Sequence, residues 1–230
     1  MSEQSLFAPA EAMASFFDAR AGGYNDHMHG NRNMDRLYEA LAAQIPVTQE
    51  PIAILDLGCG TGMELAAVFR RAPNARITGL DISVGMLDIL RHTYRERADQ
   101  LTLMQASYVD WSYPQERFDY ALSSFSLHHF LPQRKTEIYR NIHGALKRGG
   151  RYLESDYMVH EQEMQQALQE YHVKMATMDG GSGDYHIDIP FTPEVQVRLL
   201  RDAGFHDVTI LLDMIDQDRP AAVLQAGKHE

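Results

Sequence analysis

Two groups of residues in this chain have the types and spacing to do chemistry. The first is a glycine turn, Gly58-Cys59-Gly60-Thr61-Gly62. It follows an apolar run through Asp56 and precedes a helix-forming run that begins at Met63. A strand, a glycine turn and a helix in that order make a cradle for a nucleotide-type cofactor, because glycine leaves room for a ligand to approach the backbone. A second apolar run, Ile77–Leu80, ends in Asp81. An acid at the end of the second strand is placed to accept ribose hydroxyls. The second group consists of proton carriers: His128-His129, Asp156, and His186 with Asp188. Histidine titrates near neutrality and is a plausible base for an amine or hydroxyl. His186 and Asp188 stand two apart on an extended stretch and so point the same way.

The turn's spacing narrows the cofactor. A dinucleotide fingerprint, GxGxxG, sets a pyrophosphate on the helix N-terminus. Here the third glycine, Gly62, comes one position early, and the sixth position is Met63. Glu64 at the helix start would also oppose a pyrophosphate. Both features favour a cofactor without phosphates and disfavour a nicotinamide dehydrogenase.

The elements that must position these residues alternate. Glu11 to Arg20 reads as a short helix broken by Gly22-Gly23, and Met34 to Gln44 as a second helix. Strands are expected at Ile52–Leu57, Ile77–Leu80, Leu101–Gln105, Phe118–Ser124 and Arg151–Ser155. Helices are expected between them at Met63–Arg71, Val84–Arg97 and Pro132–Leu146, the last stopped by Lys147-Arg148-Gly149-Gly150. This alternation implies a parallel sheet covered on both faces. Val159 to Met178 reads as a helix, followed by a glycine-rich loop through GGSGDYHIDIPFTP and a helix at Pro193–Ala203. Val208–Leu212 and Ala221–Ala226 are separated by too short a loop for a parallel crossover, so they should pair antiparallel.

The 230 residues fit one domain, 44% hydrophobic, with a net charge of -11. That charge repels phosphate backbones and argues against a nucleic-acid partner. No apolar run nears the roughly 18 residues of a membrane span, and no signal peptide is evident at the N-terminus. Cys59 is the lone cysteine, which suits a reducing, cytoplasmic setting. No Cys/His cluster has structural-zinc spacing, and no metal is expected.

Five segments in order resemble the class I S-adenosylmethionine-dependent methyltransferases of small-molecule type. They are DLGCGTG at Asp56–Gly62, GLDIS at Gly79–Ser83, FDYALSSFSLHHF at Phe118–Phe130, LKRGGRYLESD at Leu146–Asp156, and AGF at Ala203–Phe205. The resemblance implies a Rossmann-like, doubly wound α/β fold. Its seven-stranded sheet would have five parallel strands plus a terminal antiparallel hairpin. A single domain over 1–230 would carry an N-terminal helical lid (1–45) and a substrate-side insertion (157–192).

It also implies S-adenosyl-L-methionine as cofactor and direct methyl displacement onto a small molecule, by a monomer or homodimer. The cofactor-binding residues would be Arg20, Tyr24, Asp56, Gly58, Cys59, Gly60, Thr61, Gly62, Asp81, Ile82, Met86, Ala106, Ser107, Ser123 and Ser124. Asp81 would take the ribose hydroxyls, Ile82 and Met86 would wall the adenine, and Arg20 would pair the cofactor carboxylate. The family often carries an acid after the third strand for the adenine amino group. Ala106-Ser107-Tyr108 stands there instead, with Asp110 nearby. His128, His129, Asp156 and His186 are the catalytic candidates. The alternatives are a cyclase or lyase of the same fold and a non-catalytic cofactor-binding protein.

Overall fold

The computed structural model describes residues 11–29, 33–178 and 185–229. The start of the expected glycine-rich loop, within 179–184, and the chain's first ten residues lie outside the described residues. A seven-stranded sheet runs β1 (Ala53–Leu57), β2 (Arg76–Asp81), β3 (Leu101–Gln105), β4 (Phe118–Ser124), β5 (Leu146–Asp156), β6 (His206–Asp213) and β7 (Ala222–Gly227). Its spatial order is β3-β2-β1-β4-β5-β7-β6. The first five strands are parallel, and β7 enters antiparallel between β5 and β6. The fold expected from the sequence is therefore the one observed. The order reverses at β1, between β2 and β4, and a crevice for ligands opens above the carboxyl ends of the strands there.

Strand alternation sorts the core into two layers. Ile54, Leu122 and Leu153 face one layer with α2 (Met34–Ala42), α3 (Leu65–Arg71) and α4 (Val84–Thr93). Leu55, Ala121 and Tyr152 face the other with α5 (Pro132–Ala145) and α7 (Pro193–Asp202), between which α6 (Glu161–Thr177) runs in the chain. Asp56 falls between Leu55 and Leu57 in register, so its side chain enters the first layer, with Cys59 close by. Local caps agree with the tertiary fold. Ser83 accepts from Met86 N at the start of α4, and Thr192 accepts from Val195 N at the start of α7. No described helix is long and apolar enough to cross a membrane.

Three local expectations are corrected. α1 (Met13–His29) runs unbroken through Gly22 and Gly23. Each glycine weakens a helix interior by roughly 0.5–1 kcal/mol, but burial of Met13, Ala21 and Met28 holds the helix. A Cβ on Gly85 would stand 3.1 Å from Ala21 Cβ, so that glycine lets α1 lie close on α4. Second, Lys147 to Gly150 do not stop a helix but open β5. Their backbone is claimed by the segment after β7: Gly149 N donates to Lys228 O at 3.1 Å and Lys228 N donates to Gly150 O at 2.9 Å. The long helix expected at Val84–Arg97 also ends early, at Thr93, and continues as a 3-10 turn, Arg95–Gln100.

Candidate active site

The three glycines of the turn share positive φ but do different work. At Gly58 (φ +65) a Cβ would stand 2.1 Å from Ser126 Oγ, so this glycine admits the segment after β4. At Gly62 (φ +73) a Cβ would meet Leu90 and Leu65 at 3.0–3.1 Å, so this one seats α4 against the start of α3. At Gly60 (φ +47) nothing but Gly58 O lies within 4 Å, and that at 4.0 Å. Gly58 and Gly60 border a cavity that also touches Asp81, Ile82, Met86 and Ser107. Gly62 is not among the residues that border this cavity, and a Cβ there would point into the core.

Asp81 is buried at the cavity wall, and its carboxylate is already anchored. Gly60 N donates to Oδ2 at 2.8 Å and Ser83 N donates to Oδ1 at 2.8 Å. Burial lifts its carboxyl above the ordinary value, while the two amides pull it back. Each oxygen keeps a further lone pair for a hydroxyl donor. Behind the loop, Asp56 and Glu64 form a buried acidic pair with no well-formed hydrogen bond at either Asp56 oxygen. Burial, then Glu64, pushes Asp56 well up, and burial raises Glu64 too.

A second space, a cleft of ≈ 700 Å³, adjoins the first. α1 forms one side through Arg20, Gly22, Gly23 and Tyr24, and the histidines form the other. Phe17, Tyr24, Phe125 and His129 border both spaces. Phe125 holds φ +49, a conformation unusual for a side-chain-bearing residue, at the exit of β4. Its amide is fixed to Ser155 O at 2.8 Å.

The structure brings His128, His129, Asp156 and His186 together. His128 Nδ1 lies 2.6 Å from Asp156 Oδ1, and its Nε2 lies 3.5 Å from Asp188 Oδ1. His129 Nδ1 lies 3.3 Å from both Ile187 O and Asp188 Oδ1, and its Nε2 is buried without a partner. His186 stacks on Phe16, with centroids 3.4 Å apart, and its Nε2 is 3.9 Å from Asp188 Oδ1. The segment is pinned here by Ile189 N donating to His128 O and by His186 N donating to Glu11 O.

Burial alone would depress His128, but Asp156 and then Asp188 push it up to about 10. It is therefore charged at neutral pH, unlike the near-neutral base the sequence suggests. Burial and the charge of His128 hold His129 below its ordinary value. Burial and His129 take His186 down to about 4. Burial works against the Asp188 carboxylate, yet its hydrogen bonds to His128 and His129 hold its pKa far below the usual range.

Other expected cofactor residues divide among the core, the cavity and the outer cleft. Cys59 Sγ packs where a Cβ on Gly79 would be, and its amide donates to Leu80 O, so it faces the sheet. Ser123 Oγ bonds Tyr152 OH at 2.6 Å in the core, whereas Ser124 borders the cavity. Thr61 donates to Asn25 Oδ1 at 2.6 Å and so ties the loop to α1. Ala106 donates its amide to Asp81 O and spaces β3 from the loop. Arg20 lies over Phe16, pairs with Glu11 at 3.2 Å, and borders the outer cleft, not the glycine cavity. Asp110 is exposed, 3.7 Å from Arg134, and is not among the residues that border the cavity. Phe17 and Tyr108, neither of them among the cofactor-binding residues expected from the sequence, also border the cavity.

Residues 54–150 match the family model described as a methyltransferase domain. The chain is 33% identical over 105 residues to the demethylmenaquinone methyltransferase of Symbiobacterium thermophilum, covering 44% of this chain and 40% of that protein. It is 24% identical over 219 residues to the carboxy-S-adenosyl-L-methionine synthase of Wolinella succinogenes, covering 87% and 89%. The structure of the Burkholderia thailandensis 1,6-didemethyltoxoflavin-N1-methyltransferase superposes with a TM-score of 0.66 at 20% identity, covering 97% and 93%. Over residues 54–150 the chain thus matches a methyltransferase domain, and its sheet order and glycine loop are similar to those of the class I S-adenosylmethionine-dependent methyltransferase family. That family's cofactor is S-adenosylmethionine. The fit is favourable here, because the space above Gly60 is one that a Cβ would enter, and Asp81 retains acceptor capacity beside it.

Proposed function

We propose that this chain is an S-adenosylmethionine-dependent methyltransferase acting on a small-molecule acceptor. The wall shared by the two spaces carries the reading: Phe17, Tyr24, Phe125 and His129 stand between the glycine-loop cavity and the histidine cleft. When bound, S-adenosylmethionine supplies an electrophilic methyl on a sulfonium, which the acceptor takes in line, leaving S-adenosylhomocysteine. Gly60 passes beneath the cofactor, Asp81 receives the ribose hydroxyls, and Ile82 and Met86 flank the adenine. Ser124 and the rings of Tyr24 and Phe17 face the sulfonium end, where an aromatic face attracts a cation. His128, His129, Asp156 and His186 serve the acceptor. Asp156 fixes the His128 ring, and the cleft side presents imidazole nitrogens to the incoming atom. Holding the partners in line supplies up to roughly 7–11 kcal/mol in favourable cases. A net charge of -11 disfavours a nucleic acid as that partner.

The test is product analysis with methyl-labelled S-adenosylmethionine over a panel of hydroxy, amino and carboxylate acceptors. Release of S-adenosylhomocysteine with label on an acceptor is the expected outcome. A second reading draws on the relatives that align along most of the chain, the carboxy-S-adenosyl-L-methionine synthases. In it the cofactor skeleton itself is modified. A product that keeps the labelled sulfonium and gains mass would replace the first reading with this one.

A further inference from the structure

From the geometry of the cleft we infer that His128 Nε2, His129 Nδ1 and the Asp188 carboxylate form a binding site for one divalent first-row transition cation of the zinc class. The three donor atoms all lie within 4.8 Å of one another. Asp188 Oδ1 is their hub, 3.5 Å from His128 Nε2 and 3.3 Å from His129 Nδ1. Around an ion with bonds of about 2.0–2.1 Å, tetrahedral ligand atoms stand about 3.4 Å apart. The two separations from Asp188 thus already match two edges of such a shell.

Three further observations favour a cation. The far nitrogen of His128 is held by Asp156 at 2.6 Å. A carboxylate in this place fixes the ring of a metal-bound histidine, and a cation would take the opposite nitrogen by displacing the proton that now faces Asp188. Asp156 and Asp188 bring two carboxylates to one ring, and the ion pairs of Asp188 among the described residues are all with histidines. The side chain of Asp188 is 48% exposed to the cleft, so a metal here would keep a coordination position open. His186, 3.9 Å from the hub, stands at that opening.

Two imidazoles and one carboxylate select zinc, cobalt, iron or manganese over magnesium and calcium, which prefer all-oxygen shells. The open position would take an oxygen of the acceptor, such as a hydroxyl or carboxylate, and lower its pKa beside the shared wall. Only this role rests on the proposed methyl transfer; the site itself does not. No pattern of neighbouring residues announces it, because His129 and Asp188 meet only through the docking of the 185–191 segment.

The test uses the full chain without an affinity tag, stripped with a chelator and titrated with Co²⁺, which reports its coordination by visible absorption, and with Zn²⁺ by calorimetry. One equivalent is expected to bind, with Mg²⁺ unable to displace it. Asp188→Ala and His128→Ala should each weaken binding at least tenfold, and Asp156→Asn should weaken it ten- to a hundredfold. His206→Ala, in the surface pair stacked on His229, should leave it unchanged. S-adenosylhomocysteine affinity of Asp188→Ala, measured in parallel, verifies the fold. No stoichiometric Co²⁺ binding, or binding untouched by Asp188→Ala, overturns the site and leaves an ordinary histidine–aspartate ion pair. If the metal binds but S-adenosylhomocysteine does not, the metal site stands and the methyltransferase reading falls.

Discussion

The turn's glycines separate by what each would meet. Gly58→Ala forces a Cβ to 2.1 Å from Ser126 Oγ at φ +65, so it should destabilise the fold by more than the roughly 1–2 kcal/mol that a left-handed non-glycine residue costs. Gly60→Ala meets no such clash and should lose only about that backbone cost, while the methyl enters the cofactor space. Thermal melting alongside S-adenosylhomocysteine titration should show stability loss dominating at Gly58 and affinity loss dominating at Gly60. Equal patterns would mean that the two glycines are not distinguished by their surroundings. The glycine loop and Asp81 were legible in the sequence because they lie on one strand–turn–helix unit and its neighbour. The division of labour within the loop was not, since it depends on Ser126 and Leu90, which other elements bring in. The pairing of His128 with Asp156 and Asp188 was equally hidden, because each partner arrives from a different part of the chain.

At the scale of elements, α1 is one wall of the outer cleft. Its Asp18 Oδ1 accepts from Ser83 Oγ at 2.6 Å and Gly85 N at 3.1 Å, and so clasps the start of α4. The Ser83 hydroxyl, then the Gly85 amide, holds the Asp18 carboxyl below its ordinary value. A depressed folded-state pKa means that the clasp is complete above the unfolded carboxylate pKa and is lost as pH falls through the lowered value. Hydrogen exchange should show residues 13–29 loosening under acid before the sheet does, and Asp18→Ala should loosen them at neutral pH. If exchange in α1 tracks the sheet in both cases, the clasp is not what docks it.

Gly22 and Gly23 sit in this helix with nothing within 4 Å of where a Cβ would stand, and both border the cleft. Gly23→Leu should raise helix stability by about 0.5–1 kcal/mol yet lower turnover by filling acceptor space, with cofactor affinity kept. Unchanged turnover would show that the acceptor does not approach along α1. A Gly-Gly pair by itself favours a helix break. It does not break this helix because tertiary packing of Met13, Ala21 and Met28 outweighs propensity.

For the whole molecule, the sheet was the most legible feature. Each parallel strand carries its own apolar run, and the short link before β7 leaves only an antiparallel pairing. What stayed hidden is how the chain's end reaches back, drawing Lys147 to Gly150 into β5. The reversal of strand order at β1 sets the glycine loop and the exit of β4 side by side, and the two spaces of the site follow from it. That architecture is shared by relatives whose names describe different reactions, so the cofactor site is the part on which the reading depends most. Calorimetric titration of wild-type chain and Asp81→Ala with S-adenosylhomocysteine, and of wild type with NAD, tests it most directly. The expected result is one site in the wild type, an affinity lowered by about 1.5–3 kcal/mol in Asp81→Ala for lost charged hydrogen bonds, and no response to NAD. Binding of NAD in preference, or equal affinity in the two proteins, would contradict the placement of S-adenosylmethionine over Gly60 and beside Asp81.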